Sequence, residues 1–111
     1  MNLIQKNQKI FVAGSTGMVG KAILRRLRFG NYNNLLYPTR EELDLTNSKQ
    51  VEKWFATNKP EIVIVAAAKV GGINANNQYP TDFLLTNLKI EINIIENAWR
   101  NNVSRLLFLG S

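Results

Sequence analysis

Three glycines at fixed spacing, Gly14-Ser15-Thr16-Gly17-Met18-Val19-Gly20, lie between a short apolar run and a stretch of helical periodicity. The run before them, Lys9 to Ala13, is Lys-Ile-Phe-Val-Ala. Its length, its β-branched content and the glycine that closes it predict a buried strand. Beyond the glycines, Val19, Ile23, Leu24 and Leu27 line one face of a helix over Met18 to Phe29, and Gly30 stops it. A strand that turns on glycine straight into an amphipathic helix is the first half of a β-α-β unit.

The rest of the chain continues the alternation. Leu35-Leu36-Tyr37 predicts a short strand ended by Pro38. Thr46 or Asn47 can cap a helix whose stripe is Val51, Trp54 and Phe55 and which Lys59-Pro60 ends. Ile62 to Ala66 is apolar throughout, as a central parallel strand covered on both faces should be. Tyr79-Pro80-Thr81-Asp82 opens a long helix with apolar positions Leu84, Leu88, Ile92, Ile95 and Trp99. Arg105 to Leu109 predicts a fourth strand, reaching Gly110 and Ser111. The fold class is therefore α/β: a Rossmann-type doubly wound parallel sheet, N-terminal portion, four strands in the order 3-2-1-4. That order leaves the fourth strand on an edge, an apolar ladder prone to self-association.

The glycine spacing is Gly-x-x-Gly-x-x-Gly rather than Gly-x-Gly-x-x-Gly, but the physics is shared. Glycine allows the tight turn and a close approach of the backbone to a pyrophosphate, and free amides at the helix start face the anion. Gly20 permits close packing of helix on sheet. The alternative, an ordinary structural turn, is countered by the strand before the loop and the helix after it. Cofactor choice is read about 20 residues on, at the end of the second strand. There the chain carries Thr39-Arg40, then Glu41 and Glu42. A guanidinium suits a 2′-phosphate, which favours NADP(H) over NAD; otherwise Arg40 pairs with Glu41, Glu42 or Asp44. Asp44-Leu45 either meets the adenine, by carboxylate and apolar side chain, or Asp44 caps the nearby helix.

Composition excludes several classes. With 111 residues, 45% hydrophobic and 20% charged, the chain is one packed domain, short for a complete dinucleotide enzyme. It has no cysteine and no histidine, so disulfides and Cys- or His-based metal centres are out and no metal site is expected. The net charge of +6 arises mostly from scattered residues. Only Lys21, Arg25, Arg26 and Arg28 cluster, late in a helix whose dipole they complement, so no nucleic-acid partner is expected. The polar N-terminus lacks a signal-peptide core, and the longest apolar run, 62–68, cannot span a bilayer. No membrane association and a cytoplasmic location are the expectations.

These residues resemble the extended short-chain dehydrogenase/reductases, and among them the GDP-L-fucose synthase family, across Lys9 to Ser111. The most specific stretch is Ala66-Ala67-Ala68-Lys69-Val70-Gly71-Gly72-Ile73-Asn74-Ala75-Asn76-Asn77-Gln78-Tyr79-Pro80-Thr81-Asp82-Phe83; Arg40 to Leu45 and Leu106 to Ser111 are also family-like. The resemblance implies 3,5-epimerisation and NADPH-dependent 4-keto reduction of GDP-4-keto-6-deoxy-D-mannose, with a GDP-sugar as partner and a homodimer when full length. It implies that Gly14 to Gly20 line the NADP pyrophosphate and Thr39-Arg40 the 2′-phosphate. Ala66, Ala67, Ala68 and Lys69 would pass the ribose and nicotinamide side, with Leu109 and Gly110 approaching the nicotinamide. Ser111 matches the family's catalytic serine, which hydrogen-bonds the sugar carbonyl; without the resemblance it reads as a strand-end turn residue. Lys69 and Asn74 to Asn77 fit either a solvated loop or a ligand contact, and Asn87 either a family-like asparagine or a polar residue on the helix flank.

Such reductases also use a Tyr-x-x-x-Lys pair, in which lysine lowers the tyrosine pKa for proton exchange. Tyr32, Tyr37 and Tyr79 are followed four positions on by Leu36, Glu41 and Phe83. Residues 1–111 thus read as a partial NADP-binding domain, without the later strands and substrate lobe, and no turnover is expected from this polypeptide alone.

Overall fold

The computed structural model describes residues 4–66 and 80–109, without the side chains of Pro80 and Phe83. Strands and helices alternate: β1 (Ile10–Ala13), α1 (Met18–Phe29), β2 (Leu35–Leu36), α2 (Ser48–Asn58), β3 (Ile62–Val65), α3 (Pro80–Arg100) and β4 (Arg105–Phe108). The strands form one parallel sheet, with Phe11 opposite Val63 and Val63 opposite Leu106. The Rossmann-type α/β class expected from the sequence is the one observed.

The strand order differs from the expected 3-2-1-4. It is β2-β1-β3-β4, so β3 pairs with β1 and β4 pairs with β3. The reason lies in β3 itself. Ile62, Val63, Ile64 and Val65 are all buried, and a strand apolar on both faces belongs inside a sheet rather than on its edge. The short β2 takes one edge, and the chain after it reaches α2 without adding a further strand. The expected edge position of the fourth strand does hold: β4 borders the sheet with Leu107 and Phe108 exposed.

Alternation along the strands divides the core. Phe11, Ala13, Val63 and Val65 point to the face covered by α2 and α3, where they meet Val51, Phe55, Ile90, Ile94 and Ala98. Trp54 packs on Phe11 with ring centroids 4.3 Å apart. Ile10, Val12, Ile62 and Ile64 point to the opposite face, against Leu24 with Ile23 and Leu27 of α1. Val19, expected on that stripe, is exposed. Helix α1 ends where Gly30 was expected to stop it, although the left-handed residue is Asn31 (φ 67°), not Gly30.

Helix α3 shows the largest departure. The expected core positions Leu84, Leu88, Ile92, Ile95 and Trp99 are exposed, whereas Ile90, Asn93, Ile94, Asn97 and Ala98 are buried. At 100° per residue, Leu88 and Ile92 stand about 200° from Ile90, so the helix carries two opposed apolar lines. Periodicity fits either. Asn93 and Asn97 make the inward line look polar in sequence, but each amide finds a carbonyl: Leu45 for Asn93, and that of Asn93 for Asn97.

Candidate functional site

A cavity of about 510 Å³ opens at the carboxyl ends of the strands. Its floor is Phe11 and Ala13 of β1, and its rim holds Gly14, Ser15, Thr16 and Gly17 after β1, Pro38 and Arg40 after β2, and Ala66 after β3. Leu43, Asp44, Leu45 and Thr46 form one wall, with Thr86 and Ile90 of α3 also lining the space. Helix α1 leaves β1 for one face of the sheet, and α2 and α3 cover the other. A crevice at such a switch between neighbouring strands is where open α/β sheets bind ligands.

The three glycines have separate physical roles. Gly14 has φ 85°, a left-handed conformation that a side chain would strain. A Cβ on Gly20 would overlap the Gly14 carbonyl and approach the Ser15 Cα to 2.8 Å, so the first turn of α1 lies directly on the loop. Gly17 is different. Its φ of −78° suits any residue, and a Cβ there would meet only the Gly14 oxygen, at an ordinary 3.6 Å. Nothing within the described chain demands glycine at position 17, which nonetheless lines the cavity.

Gly17 is also the N-cap of α1. No side chain caps it, and the first turn holds no acidic residue. The first amides of a helix lack intrahelical partners and carry the positive end of its dipole, so this end of the cavity is electropositive. Ser15 is buried and its hydroxyl donates to the Tyr37 carbonyl at 3.4 Å, tying the loop to the end of β2. The side chains of Met18 and Val19 face solvent, leaving only their main chain to serve a site.

Across the cavity, the segment after β2 is held by its own polar groups. The Thr39 amide donates to Glu42 Oε1 at 2.8 Å, and that bond, with a smaller contribution from the Thr39 hydroxyl, holds the Glu42 carboxyl below its usual pKa; the Glu42 amide in turn donates to Thr39 Oγ1. Asp44 Oδ1 accepts from the Thr46 hydroxyl at 2.6 Å and from the Thr46 amide at 3.0 Å. Those bonds, hydroxyl first, lower the Asp44 pKa, and the nearby Arg40 charge adds a smaller push in the same direction. Asn47, not Asp44 or Thr46, caps α2 by accepting from the Gln50 amide. The helix-cap alternative for Asp44 is thereby removed. Arg40 is exposed and makes no ion pair with Glu41, Glu42 or Asp44 among the described residues.

Of the residues singled out from sequence, the structure gathers Gly14, Ser15, Thr16, Gly17, Arg40, Asp44, Leu45 and Ala66 around one cavity. Met18, Val19, Gly20, Thr39 and Leu109 are not in its described lining; the Leu109 amide instead donates to the Val65 carbonyl beside β3. Ala67, Ala68, Lys69, Asn74 to Asn77, Gly110 and Ser111 lie outside the described residues. Sequence reasoning missed Phe11, which read only as part of a buried strand, and Leu43, Thr86 and Ile90, to which it gave no place in a site. Among the described residues, no group of carboxylates could hold a metal ion, and no helix is long and apolar enough to cross a membrane.

Comparison with known proteins agrees with this fold. A putative GDP-L-fucose synthase 2 of Arabidopsis thaliana is 54% identical over 109 residues, 98% of this chain and 33% of that protein. The GDP-L-fucose synthase of Escherichia coli (strain K12) is 51% identical over 104 residues, 94% of this chain and 32% of that protein. The solved structure of MlghC, a GDP-mannoheptose C4 reductase from Campylobacter jejuni with NADP bound, matches with a TM-score of 0.91 at 42% identity. It covers 96% of this chain and 32% of that one. The chain thus spans about a third of the length of these relatives. Residues 10–111, from the first buried strand through the glycine loop to Ser111, match the family model described as NAD dependent epimerase/dehydratase, and the chain belongs to that family.

Proposed function

We propose that this chain is the NADP(H)-binding portion of a GDP-sugar epimerase/reductase of the GDP-L-fucose synthase type. The observation that carries the reading is one cavity lined both by Gly17, the start of α1 with no side-chain cap, and by Arg40, whose guanidinium makes no ion pair among the described residues. A dinucleotide phosphate needs both: main-chain donors for its diphosphate and a fixed cation for its 2′-phosphate. Gly17 adds to the fit, since its open α-carbon leaves room for a diphosphate where a Cβ would intrude.

In this reading the amides of the 14–20 loop hold the diphosphate and Arg40 the 2′-phosphate. Asp44 accepts from the adenine amino group while Leu45 and Ile90 flank the ring. When bound, NADPH supplies the hydride for keto reduction. On the family resemblance we assign Ala66 to Lys69, Leu109 and Gly110 to the nicotinamide side and Ser111 to polarising the sugar carbonyl. The given residues contain no Tyr-x-x-x-Lys spacing. We therefore assign the acid–base pair, and most of the GDP-sugar site, to the part of the relatives' length that this chain does not span, and infer that residues 1–111 alone bind without turnover.

The outward line of α3 supports a homodimer of the complete protein. A crossover helix in the same layer covers a neighbour's flank, whereas Leu88, Ile92, Ile95 and Trp99 face away from the sheet. An exposed apolar line on a 21-residue helix suits the same helix of a second copy about a two-fold axis.

Trp54 supplies the readout for the nucleotide. It packs on Phe11 with the rings tilted by 43°, and Phe11 lines the cavity, so its fluorescence should respond to occupancy. Titration of the complete polypeptide should show tighter binding of NADP than of NAD. Equal affinity for the two would remove the NADP assignment, and binding of neither would remove the reading altogether.

A further inference from the structure

The adenosine wall of the cavity carries strand-like polar groups without strand neighbours. Asp44 and Leu45 lie between β2 and α2 and pair with no strand among the described residues. Side chains from two different helices take the place of those neighbours. The Asp44 amide donates to Gln50 Oε1 of α2 at 3.1 Å, and the Leu45 carbonyl accepts from Asn93 Nδ2 of α3 at 2.9 Å. Asn93 is buried, and the described cavity lining does not include it.

We propose that Asn93, with Gln50 as a weaker second anchor, is a positioning residue that sets the distance of the Asp44-Leu45 wall from the opposing Ile90 side of the cavity. The inference rests on reading the cavity as a dinucleotide site. A carbonyl partly buried beside α3 is best satisfied by a protein donor, and the Asn93 amide reaches it only where the wall lies close against the helix. Without that bond the carbonyl turns to water, and the wall moves away from the space between Leu45 and Ile90. Gln50 is exposed, so water replaces its contact with little change. The glycine loop shares neither anchor, and its geometry is independent of both.

The test separates the two ends of the cavity on the naturally produced chain, using adenosine 2′,5′-bisphosphate and inorganic pyrophosphate as calorimetric probes. Asn93→Ala should weaken adenosine 2′,5′-bisphosphate about tenfold and leave pyrophosphate within about twofold. Gln50→Ala, at an exposed position, should weaken the adenosine probe about twofold with pyrophosphate unchanged. Equal loss of both probes in Asn93→Ala would show a general loosening and overturn the proposal, as would unchanged adenosine binding. Should Asn93→Ala not fold, Asn93→Leu, which keeps the buried volume and removes the amide donor, decides instead: a loss of about tenfold for the adenosine probe alone supports the clamp, and unchanged adenosine binding overturns it. A wild-type chain that binds neither probe refutes the reading of the cavity itself, which distinguishes that failure from failure of the clamp.

Discussion

The α-carbon of Gly20 lies so close to the main chain of Gly14 that a methyl group on it would overlap the Gly14 carbonyl. The obstacle is backbone on a loop that itself turns at a left-handed glycine, so neither side can yield easily. Gly20→Ala should therefore destabilise by about 3 kcal/mol, more than the ~1 kcal/mol that alanine gains in helix propensity. A urea midpoint equal to that of the unchanged chain would contradict this contact.

Gly17 is the counterpart. Its backbone and surroundings accept a Cβ, so Gly17→Ala should cost only about 1 kcal/mol in urea denaturation, the loss of glycine's advantage over alanine at an N-cap. If a diphosphate occupies the adjoining space, NADP affinity should fall at least about tenfold in the same variant. Unaltered NADP binding by a stable Gly17→Ala chain would locate the diphosphate elsewhere.

Arg40 should discriminate between cofactors. A guanidinium facing a phosphate is worth about 2 kcal/mol, and NAD has no phosphate at that position. Arg40→Ala should weaken NADP about thirtyfold and NAD about twofold or less. Dissociation constants that rise by the same factor for both would assign Arg40 a structural role.

Asp44 should titrate below the ordinary carboxylate value, since Thr46 donates to its ionised form twice and Arg40 adds attraction. A folded pKa below the unfolded one gives stability that is present above the unfolded value, about 3.9, and lost as pH falls through the folded value. Thr46→Val removes the hydroxyl donor and should raise the midpoint seen by carboxyl NMR, with a smaller rise in Arg40→Ala. An unmoved midpoint in Thr46→Val would deny the Thr46 contact.

The outward face of α3 should control assembly. Ile92 and Trp99 are 58% and 78% exposed, so lysine at either position leaves the chain's own core intact. Ile92→Lys combined with Trp99→Lys should convert a dimer of the complete protein to monomer in sedimentation, with little change in secondary structure. A dimer that survives the double substitution uses another surface.

Sequence alone determined the features that depend on neighbours along the chain. The alternation of elements follows from apolar spacing, because a strand repeats every two residues and a helix every 3.6. The Gly14 turn and the Gly20 close approach follow from where the glycines fall between strand and helix, and Arg40's position beside the cavity follows from its place after β2. The resemblance carried the rest of the expected chemistry, much of it onto residues beyond those described. Tertiary structure decided what depends on distant partners. Burial of β3 on both faces put it beside β1 and overturned the expected strand order. The sheet and α2 selected the Ile90–Ile94–Ala98 side of α3 over an equally periodic apolar line, because a bond from Asn93 to a carbonyl 48 residues away makes a buried amide acceptable. Periodicity names the faces a helix can bury; only the completed hydrogen bonds and contacts across the fold choose between them.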